Sequence, residues 1–409
     1  MELSRNNSLP LSVVLMSILL GIYVDIKCIN WILAYGFFSS EGGFMSFLYP
    51  IVVACIMILF LTTNIKKEVR FSKKTFLLAA YLILFYIFTI LFIGSPRVSI
   101  TFFSIFTITG LLLPNFVKID SKCFLISVML WPTIAIFKLD RVFQMTLDWK
   151  DAISMDSSYA FMTPIIATIV YLFSYYRSDY RWKKVFIIIL SSINFIFFLK
   201  LFQHGSRGPL LAIFLTLVFF WVVQYSERKG GAVFNRKNIF VALLCIVLSI
   251  LFMNAFLDFV FLIMDKFGIN SIALEKIVRL SAEGDLSNGR NTLKDLAING
   301  FWDSFLVGNG LDRFDANTGQ AYPHNFVLQI LYDGGLLLAF ILLVPIIVNT
   351  IMKFKKCSKS QYIVQTFLLF SSVPYALLSQ DLWENAVFWL FVGSLFSTTF
   401  INVTHDYEI

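Results

Sequence analysis

Residues 75–93 read TFLLAAYLILFYIFTILFI, an uncharged run that is entered through Lys73 and Lys74 and preceded by Arg70, Lys67 and Lys66. An α-helix rises about 1.5 Å per residue, so a run of this length matches a hydrocarbon core about 30 Å thick. It has no polar face, which a helix half-open to water would need. Its basic flank sets direction, because Lys- and Arg-rich loops stay on the cytoplasmic side of a membrane.

The same pattern recurs outward from this run in both directions. Spans are expected at 9–24, 44–63, 75–93, 98–117, 123–139, 158–176, 185–202, 208–224, 239–261, 336–352, 362–378 and 386–401. Basic clusters fall between alternate spans, at 66–74, 118–122, 177–184, 228–237 and 353–359. With the amino terminus inside, every cluster lies on the cytoplasmic side. The first segment shows no small-residue cleavage site and is expected to stay as the first span. Residues 28–38 form an apolar run too short to cross and are expected to lie in the interface.

Composition agrees. The chain has 58% hydrophobic and 14% charged residues, where a soluble domain carries about 25% charged ones. The net charge of +8 therefore reads as topology, and a nucleic-acid partner is not expected. None of the cysteines has metal-ligand spacing, and no disulfide framework is suggested. The expected fold is an all-α polytopic membrane protein with about twelve transmembrane helices and one large helical extracytoplasmic loop. Residues 1–264 would carry helices one to nine, 265–323 the loop, and 324–409 an interfacial helix and helices ten to twelve.

Three segments are expected on the outer face: the turn at 203–209, the long loop at 265–323 and the stretch at 379–385. Within the loop, Ala273, Ile277 and Leu280 recur at helical spacing, as do Leu293, Leu296, Ala297 and Phe301. Ser287 or Asn288 can cap the second of these helices. Val307-Gly308-Asn309-Gly310 marks a turn. A short helix is expected over 325–332, breaking at Gly334-Gly335 before the tenth span.

Chemistry-bearing residues concentrate on that face. Arg207 sits between Gly205 and Gly208 in a sharp turn, with Pro209 suited to the first turn of the next helix. An arginine at a span end can simply snorkel to the headgroups. A guanidinium also offers a planar fork to phosphate oxygens, and a helix start favours an anion. Arg290 falls near a helix start, where a cation is disfavoured unless an anion joins it. Arg279 lies on the preceding predicted helix. His324, just before the short helix, can act as a base when neutral, or can be an ordinary hydrogen-bonded residue. His204 stands beside Arg207, and Asp381 and Glu384 can orient sugar hydroxyls. The sequence has no P-loop, no His/Cys metal cluster and no Asp-x-Asp pair, so chemistry without nucleotide, metal or other cofactor is expected.

Taken together, His204-Gly205-Ser206-Arg207-Gly208, Ser287-Asn288-Gly289-Arg290, Phe301-Trp302, Val307-Gly308-Asn309-Gly310, Pro323-His324-Asn325-Phe326 and Asp333-Gly334-Gly335 resemble the O-antigen polymerase and O-antigen ligase superfamily. The resemblance runs over roughly 203–338; the first half of the chain adds only topology. It implies a glycosyltransferase whose donor is a glycan on undecaprenyl diphosphate. Arg207, Arg279 and Arg290 would hold the diphosphate and His324 would be the base. His204, Ser206, Asn325, Asp381 and Glu384 would complete the substrate site. Polymerase is favoured over ligase because polymerases are numerous and diverse. Expected partners are the lipid-linked glycan, membrane lipid and a chain-length regulator protein. The expected location is the inner membrane, with the site facing outward. A lipid-linked sugar flippase is the alternative of another class, but it should carry more ionisable residues inside its spans.

Overall fold

The computed structural model describes residues 9–34, 45–64, 72–138, 152–204, 207–228, 266, 290–356, 358–397 and 400. Among these every element is helical. Helix α1 (Leu11–Val24) bends by 63° at Asp25 into α2 (Ile26–Trp31) and on to Ala34. The part of the expected interfacial stretch that is described is thus the bent continuation of the first helix. Helix α3 (Met45–Asn64) follows, then α4 (Lys73–Phe88), which runs on as a π-helical turn at Thr89–Ile93.

Helix α5 (Ile100–Asn115) also holds a π-helical stretch, Phe103–Ile108. There the Thr107 hydroxyl leaves its own helix and donates to the Trp383 carbonyl at 2.7 Å. Such wide turns re-aim side chains that a regular helix would keep to itself. Helix α6 (Ser121–Leu130) starts at an Asp120 cap, whose carboxylate accepts from the Cys123 amide at 2.8 Å. Next come α7 (Ala152–Ser174), α8 (Arg181–His204) and α9 (Arg207–Arg228). The later elements are α10 (Arg290–Asp303), α11 (Phe314–Thr318), α12 (Phe326–Lys356), α13 (Lys359–Leu378) and α14 (Ala386–Phe396).

Four helical stretches are long and apolar enough to cross a membrane: Lys73–Ile93, Arg181–Phe202, Phe326–Lys355 and Lys359–Leu378; the bent α1–α2 pair makes a fifth. Shorter apolar helices fall on the other expected spans, except 239–261, which lies outside the described residues. The chain is a helical membrane protein. The count of twelve spans remains an expectation from the sequence, as do the domain limits and the helix expected around Ala273, Ile277 and Leu280, which is also outside the described residues.

Helix α7 is central, packed against α6, α8, α9 and α13, while α14 lies along α5 and α1 along α6. Trp383, Trp389, Tyr159 and Phe367 are fully buried among these helices. In lipid there is no apolar-to-water gradient between helices, so close packing and interhelical hydrogen bonds carry association. Leu77, Leu84, Leu91 and Phe340 point outward and are exposed, as lipid-facing residues should be.

The loop expected on the outer face is tied down, in its described part, where the sequence places its turns. Gly308 and Gly310 have φ of 73° and 94°, and a side chain at Gly308 would collide with the Asp333 backbone. Gly335 (φ 59°, ψ −156°) breaks α12 at the expected place. The amides just after the break would lose their helical acceptors. Leu336 instead donates to the Phe305 carbonyl at 2.8 Å and Leu337 to that of Leu306 at 3.1 Å. The loop is thereby the cap of the second half of α12.

Candidate active site

Three connecting segments meet at one end of the bundle: 94–99 after α4, 304–325 after α10, and 379–385 after α13. Arg97 stands at their centre. Its guanidinium donates to the Asp381 carboxylate and lies 3.8 Å from Asp312 and 3.9 Å from Glu384. Its amide donates to the Asp312 carbonyl at 3.1 Å, and the next amide, Val98, to the Asp312 carboxylate at 2.6 Å. Burial would lower the Arg97 pKa, but the three carboxylates more than reverse this and raise it. Asp312 is pushed far above the usual carboxylate range, by burial first and then by the Asp381 and Asp333 charges. It is therefore protonated at neutral pH.

The polar network continues inward. Asp381 also accepts from Gln329 Nε2 at 3.2 Å and from the Trp383 amide at 2.8 Å. The Trp383 indole donates to Asp333 at 2.6 Å. Asp381 is thus buried and committed to protein partners, while Glu384 stays about a third exposed.

Tyr322 joins this network to the expected base. Its ring centroid lies 5.6 Å from the Arg97 guanidinium and 4.3 Å from the His324 ring. Its hydroxyl donates to the Ser379 carbonyl at 2.7 Å. His324 takes a left-handed backbone with φ 54°, which an L-residue adopts only when its surroundings fix it. Its Nδ1 is buried and has no hydrogen-bond partner among the described residues. Burial, and then the Arg290 charge, lower its pKa, against opposing pulls from the Ser379 backbone and Asp381. The imidazole is neutral at ordinary pH, as a base must be.

Arg290 is the first residue of α10 and is exposed. Its charge reaches both His324 and Tyr159. The Tyr159 hydroxyl donates to Ser379 Oγ at 3.0 Å. Gly208 packs on that same hydroxyl, so closely that a side chain there would collide with it. The starts of α9 and α10, the His324 loop and Ser379 therefore converge. Arg207 opens α9 and His204 closes α8; Gly205, Ser206 and Arg279 lie outside the described residues, as do Ser287 and Asn288. Asn325 serves as the cap of α12, its side-chain oxygen accepting from the Val327 and Leu328 amides at 3.0 and 3.2 Å.

With this arrangement in view, the comparison with known families has a physical counterpart. Residues 193–343, from within α8 to within α12, match the O-antigen ligase family. The match supports a kinship with the O-antigen polymerase and ligase superfamily over that part of the chain. No curated protein matches it. Members of the matched family are glycosyl-transferring enzymes that act in polysaccharide biosynthesis.

Arg207, Arg290 and His324 fall inside the matched interval, but several residues that surround them do not. Arg97, Tyr159, Ser379 and Glu384 come from elsewhere in the chain. Sequence reasoning missed Arg97, Tyr159, Tyr322, Asp312 and Gln329. One signal was available: Arg97 is a lone cation in a short connection between two apolar runs, and such a residue invites a partner. For Tyr159 and Gln329, polar residues within apolar helices, no sequence signal set them apart.

Proposed function

We propose that this protein polymerises oligosaccharide repeat units carried on undecaprenyl diphosphate, on the outer face of the inner membrane. The acceptor hydroxyl attacks the anomeric carbon of the donor glycan. A new glycosidic bond forms, the bond to the phosphate oxygen breaks, and the lipid diphosphate leaves with the electron pair. His324 takes the hydroxyl proton. Arg207 and Arg290, at the starts of two helices, hold the diphosphate and stabilise the charge that grows on it. Arg279 and His204 support the same anion, Ser206 binds the donor, and Glu384 orients a sugar hydroxyl beside Arg97.

The observation that carries this reading is the His324 imidazole: neutral, held by a constrained backbone, with a buried Nδ1 that no group among the described residues uses. Most buried polar side-chain atoms are hydrogen-bonded, and a nitrogen left open beside the candidate site is what a base would present to an acceptor. The description of the matched family favours a second reading, transfer of finished glycan to lipid A core. Deleting the gene separates the two. Polymerase loss leaves a single repeat unit on the core or carrier. Ligase loss leaves long chains on undecaprenyl diphosphate and none on the core. Unchanged chain length on the core contradicts both.

A further inference from the structure

In the half of α12 that leads away from His324, a groove of about 560 Å³ runs between α12 and the start of α4. Its walls follow from helical spacing. Helix α4 lines it with Lys74, Leu77 and Tyr81, at i, i+3 and i+7, and α12 with Ile341, Val344 and Val348, again at i, i+3 and i+7. Val348 is about 20 Å along α12 from the Gly335 break, so the groove is separate from the candidate active site.

Each of these stripes reaches a cation at the same end. Lys74 lines the groove itself beside Lys73, and Lys355, seven positions beyond Val348, continues the α12 face. Lys73, Lys74 and Lys355 are exposed, and none forms an ion pair among the described residues. This is the end that the basic clusters at 66–74 and 353–359 assign to the cytoplasmic side.

The groove's volume falls within the range of about 300–1,000 Å³ that holds a ligand rather than a single water. An apolar cavity stays dry and takes apolar guests, and in a bilayer the available guest is a hydrocarbon chain. A lysine at a span end can snorkel to the headgroups at large. Here the apolar wall continues directly from Lys74, so a chain lying in the groove brings its own headgroup to that lysine. Cations without a counter-ion select a headgroup with net negative charge over a zwitterionic one.

We propose that the groove between α4 and α12 binds an anionic phospholipid of the cytoplasmic leaflet, with an acyl chain against Leu77 and Val348 and its phosphate on Lys74. Lys73 and Lys355 add positive charge at the same mouth. The site does not depend on the reaction proposed above: His324 can fail as the base and the lipid site still stand.

The test is native mass spectrometry of the full chain in detergent, titrated with phosphatidylglycerol and, separately, with phosphatidylethanolamine carrying the same chains. Wild type should bind phosphatidylglycerol at least tenfold more tightly, and added salt should narrow the difference. Lys74→Gln, at an exposed position, should weaken phosphatidylglycerol about fivefold and leave phosphatidylethanolamine unchanged. Val348→Trp, which fills the groove without changing charge, should weaken both. Equal affinity of wild type for the two lipids, or wild-type selectivity in Lys74→Gln, overturns the proposal. So does undiminished binding by a folded Val348→Trp. If that variant fails to fold, Leu77→Trp on the opposite wall decides in the same way. Tighter binding of undecaprenyl phosphate at this groove would assign it to the carrier's tail, and a lipid-free dimer would make it a contact between copies; either result also overturns the proposal.

Discussion

Two polar regions meet at the Tyr322 ring, and they are built on opposite principles. On one side, Arg97 is surrounded by Asp381, Asp312 and Glu384, and the carboxylates reach on to Gln329 and Trp383. Its charge is neutralised by groups already in place. On the other side, His324 keeps a buried nitrogen without a partner, and no carboxylate among the described residues forms an ion pair with Arg290. A densely cross-linked buried network fixes geometry, even though Asp312 Oδ1 and Asp333 Oδ1 have no hydrogen-bond partner among the described residues. An incomplete one at the mouth of a bundle waits for a ligand. On the proposed reading, the Arg97 side is the frame and the His324 side is where the chemistry takes place.

The comparison breaks most visibly if the frame is removed. Arg97→Ala leaves Asp381 and its neighbours with uncompensated charge in a buried setting, which costs about 3–5 kcal/mol. Thermal unfolding in detergent should show a large fall in stability, with activity lost as a consequence. Arg97→Lys should recover part of the stability, because the charge remains while the fork is lost. A variant lacking Arg97 that melts like wild type would mean that the three segments are held by other contacts.

A smaller effect sharpens the boundary between the two regions. Asn325 is adjacent to His324 yet uses its side-chain oxygen as a helix cap. Asn325→Ala should cost about 1 kcal/mol of stability, and Asn325→Asp, which keeps the cap, should cost less. Donor binding should change little in either. A strong loss of donor affinity at full stability would place Asn325 on the chemical side after all.

What was legible in the sequence divides along the same line. Apolar runs such as 75–93 became helices because length and the absence of a polar face leave no other stable solution in lipid. The break at Gly335 and the turn at Gly308–Gly310 were legible because positive φ is a local demand that glycine meets. His324 and Arg290 could be singled out because few histidines exist and a cation at a helix start is conspicuous. The frame was not legible. Arg97 and Asp381 are 284 positions apart, and nothing local announces that one answers the other. Asp381 looked like an exposed acid able to orient sugars; its burial follows from the docking of three loops. Tyr159 looked like any residue of an apolar helix until Gly208 and Ser379 were seen against it.

The central claim, that one of the two regions holds and the other reacts, is tested most directly with His324→Ala and Arg207→Ala in purified protein in lipid. Donor binding, polymer formation and melting temperature are measured for each at matched folded amounts. For His324→Ala the account predicts wild-type melting and donor binding, with transfer slowed by about 10²–10⁴-fold, the worth of a positioned base. For Arg207→Ala it predicts weakened donor binding as well as slowed transfer. Full turnover by a correctly folded His324→Ala would contradict it.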